Sequence, residues 1–182
     1  MKMIKRIFEK IKLLKGFLLL SLFVGLTQAL WAQSPLCASG PTNYGYEYIS
    51  SVQINNTIYM GNTGYSGPGY MDFTNKAVEK LEAGKSYVIS VNVVDNQVWH
   101  EYVKVWFDFN GNQNLEDAGE LVFNQDASFS GQHNFTGTIT VPQDAYNGDV
   151  YIRIEMVYSV IPKLCGSYTW GNTFDFKANI SG

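Results

Sequence analysis

Along residues 86–93 the side chains alternate with a period of two. Tyr87, Ile89, Val91 and Val93 fall on one face, and Ser86, Ser90 and Asn92 on the other. Val103, Val105 and Phe107 alternate with Tyr102, Lys104, Trp106 and Asp108 in the same way. Phe135, Ile139 and Val141 share a face, and Ile152, Ile154 and Met156 stand opposite Tyr151, Arg153 and Glu155. This period is that of half-buried strands. Turns rich in Gly, Asn, Asp and Pro divide the chain into about nine of them. Only Asn75–Glu82 offers helical spacing, two turns at most before Gly84. The pattern predicts an all-β fold, a two-sheet antiparallel β-sandwich of jelly-roll or Greek-key type, without internal repeats or a dividing linker. Two segments break the alternation. Tyr59–Asp72 holds four glycines and three tyrosines, and Asp108–Glu120 is a polar loop.

The N-terminus follows different rules. Lys2, Lys5, Arg6, Lys10, Lys12 and Lys15 precede an apolar run from Phe17 to Leu26, and small residues follow at Ala29 and Ala32. A basic stretch, a short apolar stretch and a small residue make a secretory signal peptide. The run falls short of the roughly 20 residues a membrane span needs. Residues 1–32 are assigned to the signal peptide, with cleavage after Ala32 and Ala29 as the alternative, and 33–182 to the sandwich domain. No stable membrane insertion is expected after cleavage.

Removing the leader changes the charge. Six of the 13 Lys and Arg and one of the 16 Asp and Glu lie within it, which leaves seven basic and 15 acidic residues. So acidic a domain offers no basic track for a phosphate backbone, and nucleic acid is not an expected partner. Cys37 and Cys165, its two cysteines, are expected to form a disulfide in an oxidising compartment.

The loop Asp108–Glu120 carries oxygen-bearing side chains at Asp108, Asn110, Asn112, Asn114 and Glu116, with Glu120 at its end. Donors at alternate positions of a tight loop suit a hard cation such as Ca²⁺. Gln113 stands where a calcium loop of the helix-flanked kind has its glycine, and three amides replace carboxylates, so any such site is a weak one. The other reading is a polar hairpin turning at Asn110-Gly111.

Several short segments occur in a characteristic order. Cys37 and Glu47-Tyr48-Ile49 are followed by Tyr70-Met71-Asp72-Phe73-Thr74, Leu81 to Tyr87, and Val105-Trp106-Phe107-Asp108-Phe109-Asn110. Ala118-Gly119-Glu120, Thr138 to Pro142, Ala145 to Gly148, Arg153-Ile154-Glu155-Met156, Cys165-Gly166 and Gly171-Asn172-Thr173-Phe174-Asp175-Phe176 complete it. The chain resembles the GEVED domain family over nearly all of residues 33–182. The resemblance implies a secreted, cell-surface or periplasmic β-sandwich of a Gram-negative bacterium, often appended to extracellular proteases or adhesin-like proteins and without a catalytic role. It also implies a calcium loop richer in aspartate than this one. The Gly-Glu-Val-Glu-Asp-Tyr of the family name has lost both glutamates here.

No nucleophile elbow, zinc-binding helix motif or phosphate loop is present, and the histidines, His100 and His133, lie in strand-like contexts. Paired carboxylates such as Glu116 and Asp117 leave a glycan-active enzyme as an alternative. The aromatic residues point to binding. Trp99, Trp170, Tyr65 and Tyr70 are the candidate ligand contacts for an extracellular glycan, the rings stacking on sugar, or for a protein ligand. Clustered aromatics on one open face would favour the glycan, and an unpaired edge strand the protein.

Overall fold

The computed structural model describes residues 36–76 and 79–182, so the predicted signal peptide and its cleavage point lie outside the described residues. Nine strands form, and no helix is found among the described residues. β2 (Glu47–Ile54) and β3 (Thr57–Met60) make a hairpin whose turn starts at Asn55, in the left-handed region at φ 51°. The two longest strands, β6 (Ser86–Phe107) and β7 (Leu121–Thr140), are paired along most of their lengths. Between Asp95↔Gly131 and Trp99↔Phe129 their register shifts, because Asn96–Val98 on β6 oppose a single residue of β7. Extra residues of this kind bend a strand and sharpen its twist. Gly131 takes φ 78° at that point, a conformation open to glycine at no steric cost.

The bend divides β6 into two arms. Its first arm pairs with β2, and its second with β8 (Gly148–Tyr158). The sheet therefore curls, and its two halves close on one core. Ile49, Val52, Ile89 and Val91 from one half join Val105, Ile154, Phe174 and Phe176 from the other in a single buried cluster. Tyr59 of β3 meets Phe176 edge-on at 4.8 Å between ring centroids. The alternation read from the sequence holds for the inner faces of β6 and β8, whose apolar residues are enclosed except Tyr87, which is partly buried at the start of β6.

The sheet is mixed, where a purely antiparallel one was expected. β9 (Gly166–Ser181) runs antiparallel to β8, and its other edge is covered in succession by β1 (Ser39–Asn43), β4 (Tyr70–Asp72) and β5 (Glu79–Glu82), all parallel to it. Alternation within a segment does not report the direction of its partner. β5 also replaces the helical turn expected at Asn75–Glu82. Glu79 and Leu81 are buried while Lys80 and Glu82 are exposed, a period of two imposed by pairing with Ala178–Ser181. Tertiary pairing has overridden a weak local preference.

β8 differs from the expectation in another way. Its outer face, Arg153 and Glu155, is buried as well. The chain after Leu36 and the segment at Leu164 lie over that face and enclose Trp106 and Leu115 in a second small core. Cys37 and Cys165 form the predicted disulfide here, with their Cα atoms 5.6 Å apart. Closing so long a loop stabilises the fold by about 5 kcal/mol on the chain-entropy model.

Candidate functional site

The predicted cation loop is closed by its own side chains. Asn110 Oδ1 accepts the Asn112 N–H, Asn112 Oδ1 the Asn114 N–H, and Asn114 Oδ1 the Glu116 N–H. With each carbonyl oxygen engaged, each amide nitrogen faces the other way. Asn110 Nδ2 and Asn112 Nδ2 donate to Asp117 Oδ2 at 2.8 and 2.7 Å, and Asn114 Nδ2 donates to Asp117 Oδ1 at 3.0 Å. Three amides converge on one carboxylate where an aspartate-rich loop would present oxygens to a cation. Hydrogen bonds from Asn112 and Asn110 hold the exposed Asp117 carboxyl below its ordinary range. Asp108 Oδ2 accepts the Gln113 N–H, and Glu120 Oε1 the Asn110 N–H. Asp108 Oδ1 and Glu120 Oε2 stay buried without partners, and burial lifts Glu120 to about 7.

The four candidate aromatic residues part company. Tyr65 packs edge-on against Tyr48 at 5.0 Å. Tyr70 donates its hydroxyl to Asp175 Oδ2 at 2.9 Å while its ring stays exposed, away from the other three candidates. Trp99 and Trp170 come together, from the bend of β6 and from β9, in one pocket of about 270 Å³ lined also by Tyr46, Glu47, Gln97 and Tyr158. Two edge-on ring pairs frame it: Tyr46 with Trp170 at 5.0 Å, and Trp99 with Tyr158 at 4.9 Å. The Trp99 indole N–H donates to Asn96 Oδ1 of the bulge, so the irregularity that bends β6 also holds one wall.

Behind this pocket lie three buried carboxylates that the sequence pattern does not mark as a group. Glu47 and Asp95 are directly opposed across β2 and β6. Glu101 lies beyond the bend on the same inward-facing set as Val103 and Val105. Relative exposures of 3 % for Glu47, 2 % for Asp95 and 0 % for Glu101 place all three inside. Burial lifts Glu47 to about 7; burial and then repulsion from Glu47 lift Asp95 to about 7. Burial, followed by repulsion from Asp95 and Glu47, lifts Glu101 to about 9. A signal was present in the sequence: Glu47-x-Ile49, Val93-x-Asp95 and Glu101-x-Val103 each put an acid in phase with the core.

The outer face of the same sheet holds the opposite arrangement. Arg153 donates from Nε and Nη2 to the two oxygens of Asp175, both at 2.8 Å, and from Nη1 to the carbonyls of Cys37 and Leu164. One guanidinium thus ties β8 and β9 to both chain segments that carry the disulfide. Ser39 donates to Glu155 Oε1 beside it. The motif Gly171–Phe176 supplies much of this region. A side chain at Gly171 would overlap the carbonyl of Met156 on β8, and Asn172 Oδ1 accepts the N–H of Ile49. Among the described residues, no three acidic, histidine or cysteine side chains are placed to hold a metal ion together.

With this geometry in view, comparison with known proteins bears out the family resemblance: residues 102–179 match the GEVED domain. No curated protein matches the chain. Solved structures give distant likenesses. The CARDB domain of a Pyrococcus furiosus protein, solved with di-metal ions, is 14% identical with a TM-score of 0.40, over 76% of this chain and 92% of that one. The C-terminal domain of wzt is 12% identical with a TM-score of 0.40, over 76% and 75% of the two chains. A family 123 glycoside hydrolase from Clostridium perfringens is 12% identical with a TM-score of 0.39, over 64% of this chain and 23% of that one. Likenesses of this size carry no argument about ligand or activity.

Proposed function

We propose that the chain is a secreted, non-catalytic binding module that acts outside the cell and seats a glycan in the pocket of Tyr46, Trp99, Tyr158 and Trp170. The observation that carries this reading is the convergence of four rings from separate parts of the fold on one open concavity. Aromatic side chains that serve only the core face inward, as Phe107, Phe174 and Phe176 do. Rings gathered around an opening offer apolar faces to a sugar at low conformational cost. A disulfide suits an oxidising compartment, and no helix among the described residues is long and apolar enough to cross a membrane. The test is retention of the protein by immobilised glycans, with Trp99→Ala and Trp170→Ala beside the native chain. Loss of retention with an unchanged melting temperature supports the reading; full retention by both variants ends it.

Calcium belongs to the proposal on a narrow basis. Asp108 Oδ1 and Glu120 Oε2 are the buried, unpartnered oxygens at the loop, and a cation there would seat on them. Asn110, Asn112 and Asn114 would first have to leave Asp117, which makes the site weak.

A second reading, adhesion to a protein, rests on β7. It pairs with β6 alone among the described strands, leaving one edge of a 20-residue strand open. Asp126 is its single acidic or basic residue, apart from His133, so the edge lacks the lysines that usually guard such strands. Addition of a partner strand to this edge would survive the tryptophan substitutions that abolish glycan binding.

A further inference from the structure

The acids behind the pocket have no counter-charge. Five of their oxygens, Glu47 Oε1 with both of Asp95 and both of Glu101, are enclosed without a hydrogen-bond donor. No lysine or arginine is among the groups that act on them. Arg153 faces the other side of the sheet and is held by Asp175, and Lys104 donates to the Pro162 carbonyl. A carboxylate enclosed in this way is either protonated or met by a cation. The acids do not converge at metal-ligand spacing. Glu47, however, forms part of the pocket wall, so a cation can reach the cluster through the pocket. Its other walls are aromatic, and aromatic faces attract organic cations.

We infer that the pocket selects a ligand bearing an ammonium group, its nitrogen at Glu47 and its carbon frame against Trp99 and Trp170. The inference rests on the binding reading above and makes it narrower: the ligand is an amino sugar with a free amine, and neutral sugars are poor ligands. Glu47 lines the pocket and holds one enclosed oxygen, Oε1, without a donor, so an ammonium at this carboxylate supplies the counter-charge that the side chain lacks. Asp95, opposite Glu47, adds negative charge as it ionises near pH 7, while Glu101 beyond it stays protonated until about pH 9.

Because the free cluster holds protons at neutral pH, an ammonium at Glu47 drives a proton off, and binding strengthens as pH rises through about 7. The titratable groups that act on the cluster from neighbouring elements are Tyr65 of the glycine-rich loop, toward Asp95, and Tyr168 of β9, toward Glu47. Tyr158 of β8 shares the pocket wall with Glu47. His100 precedes Glu101 but bonds to Ser128 and Asp126 across β7.

The native protein is titrated with glucosamine, N-acetylglucosamine, tetramethylammonium and calcium chloride, followed by tryptophan fluorescence and by calorimetry in two buffers of different ionisation heat. Glucosamine is expected to bind at least about tenfold more tightly than N-acetylglucosamine, with release of a proton. Tetramethylammonium, whose charge does not titrate, is expected to bind about tenfold more tightly at pH 8 than at pH 6. Its binding without that of glucosamine would assign the pocket to alkylammonium ligands and overturn the amino-sugar assignment. Glu47→Gln abolishes the preference and the proton release. Should that variant fold poorly, the buffer dependence of the native protein decides alone. Equal, pH-independent binding of both sugars overturns the inference and leaves the glycan reading intact. Displacement of the cations by calcium, with the same proton release, assigns the cluster to a metal and also overturns it. If no probe binds and Trp99→Ala changes nothing, both readings fall.

Discussion

Two groups of buried carboxylates lie on opposite faces of one curled sheet, and they are treated in opposite ways. On the outer face, Asp175 receives two hydrogen bonds from Arg153 and a third from Tyr70. On the inner face, Glu47, Asp95 and Glu101 share an interior with no basic partner and with five unpartnered oxygens. The Arg153–Asp175 pair is closed: its charges are matched, and the spare donor of Arg153 is used on the carbonyls beside the disulfide, while Glu155 next to it accepts from Ser39 and keeps one oxygen unpartnered. The inner group is open, and it lies behind an aromatic pocket. Burial alone therefore does not tell an acid that the protein has matched from one it has left without a partner. What separates them is whether the protein supplies the partner itself.

The largest expected effect comes from opening the closed group. Arg153→Met leaves Asp175 charged and enclosed and removes a donor from two carbonyls, and should destabilise the fold by about 3–5 kcal/mol in urea unfolding. A double variant, Arg153→Met with Asp175→Leu, should recover much of that loss, since an apolar pair leaves no charge unmatched.

Neutralising the open group should act in the other direction. A carboxyl whose folded-state pKa is raised keeps a proton that the unfolded chain has released, so its stabilisation is complete below the unfolded carboxyl range. That stabilisation fades as pH rises through about 7 for Glu47 and Asp95 and about 9 for Glu101. Glu101→Gln should then raise the melting temperature at pH 9, by about 2–4 °C for each kcal/mol recovered, and raise it much less at pH 5, close to the unfolded carboxyl range. A matching gain at pH 5 would mean that the side chain is misfitted, and would remove charge as the cause.

The smallest effect belongs to the polar loop. Asp117→Ala deprives three asparagine amides of one exposed acceptor, and should lower the melting temperature only slightly. The same variant sharpens the calcium question. If the amides at Asp117 are what weaken the site, releasing them should leave Asp108 and Glu120 freer to take calcium, and the heat of titration should rise.

How far all this could be read from the chain follows from where each partner lies. Ile89, Val91 and Val93, or Ile152, Ile154 and Met156, announce their strands because alternation is a local property. The three parallel strands along β9 are short and owe their direction to an edge formed at the other end of the chain, so Glu79–Glu82 carries no local mark of its partner. Tyr70 resembled a ligand ring because it stands among glycines, yet its partner is Asp175, 105 residues away. Arg153 and Glu155 looked solvent-facing because nothing in β8 itself records the strap laid over them. Of the four candidate rings the fold brings Trp99 and Trp170 to one pocket, and the acids behind them are each in phase with a core residue, a pattern visible in the chain itself. The asparagines at 110, 112 and 114 mark a loop built on oxygen spacing, but only the fold shows that backbone N–H groups take their oxygens and Asp117 their amide nitrogens.

The most direct test of the contrast is the stability of the native protein by urea unfolding at pH 5, 7 and 9. An uncompensated inner cluster predicts stability that falls with pH, and between pH 7 and 9 by about 1.4 kcal/mol per unit for the proton that Glu101 retains. A flat or rising profile would show that Glu47, Asp95 and Glu101 are already matched in charge, and would contradict the open pocket site built on them.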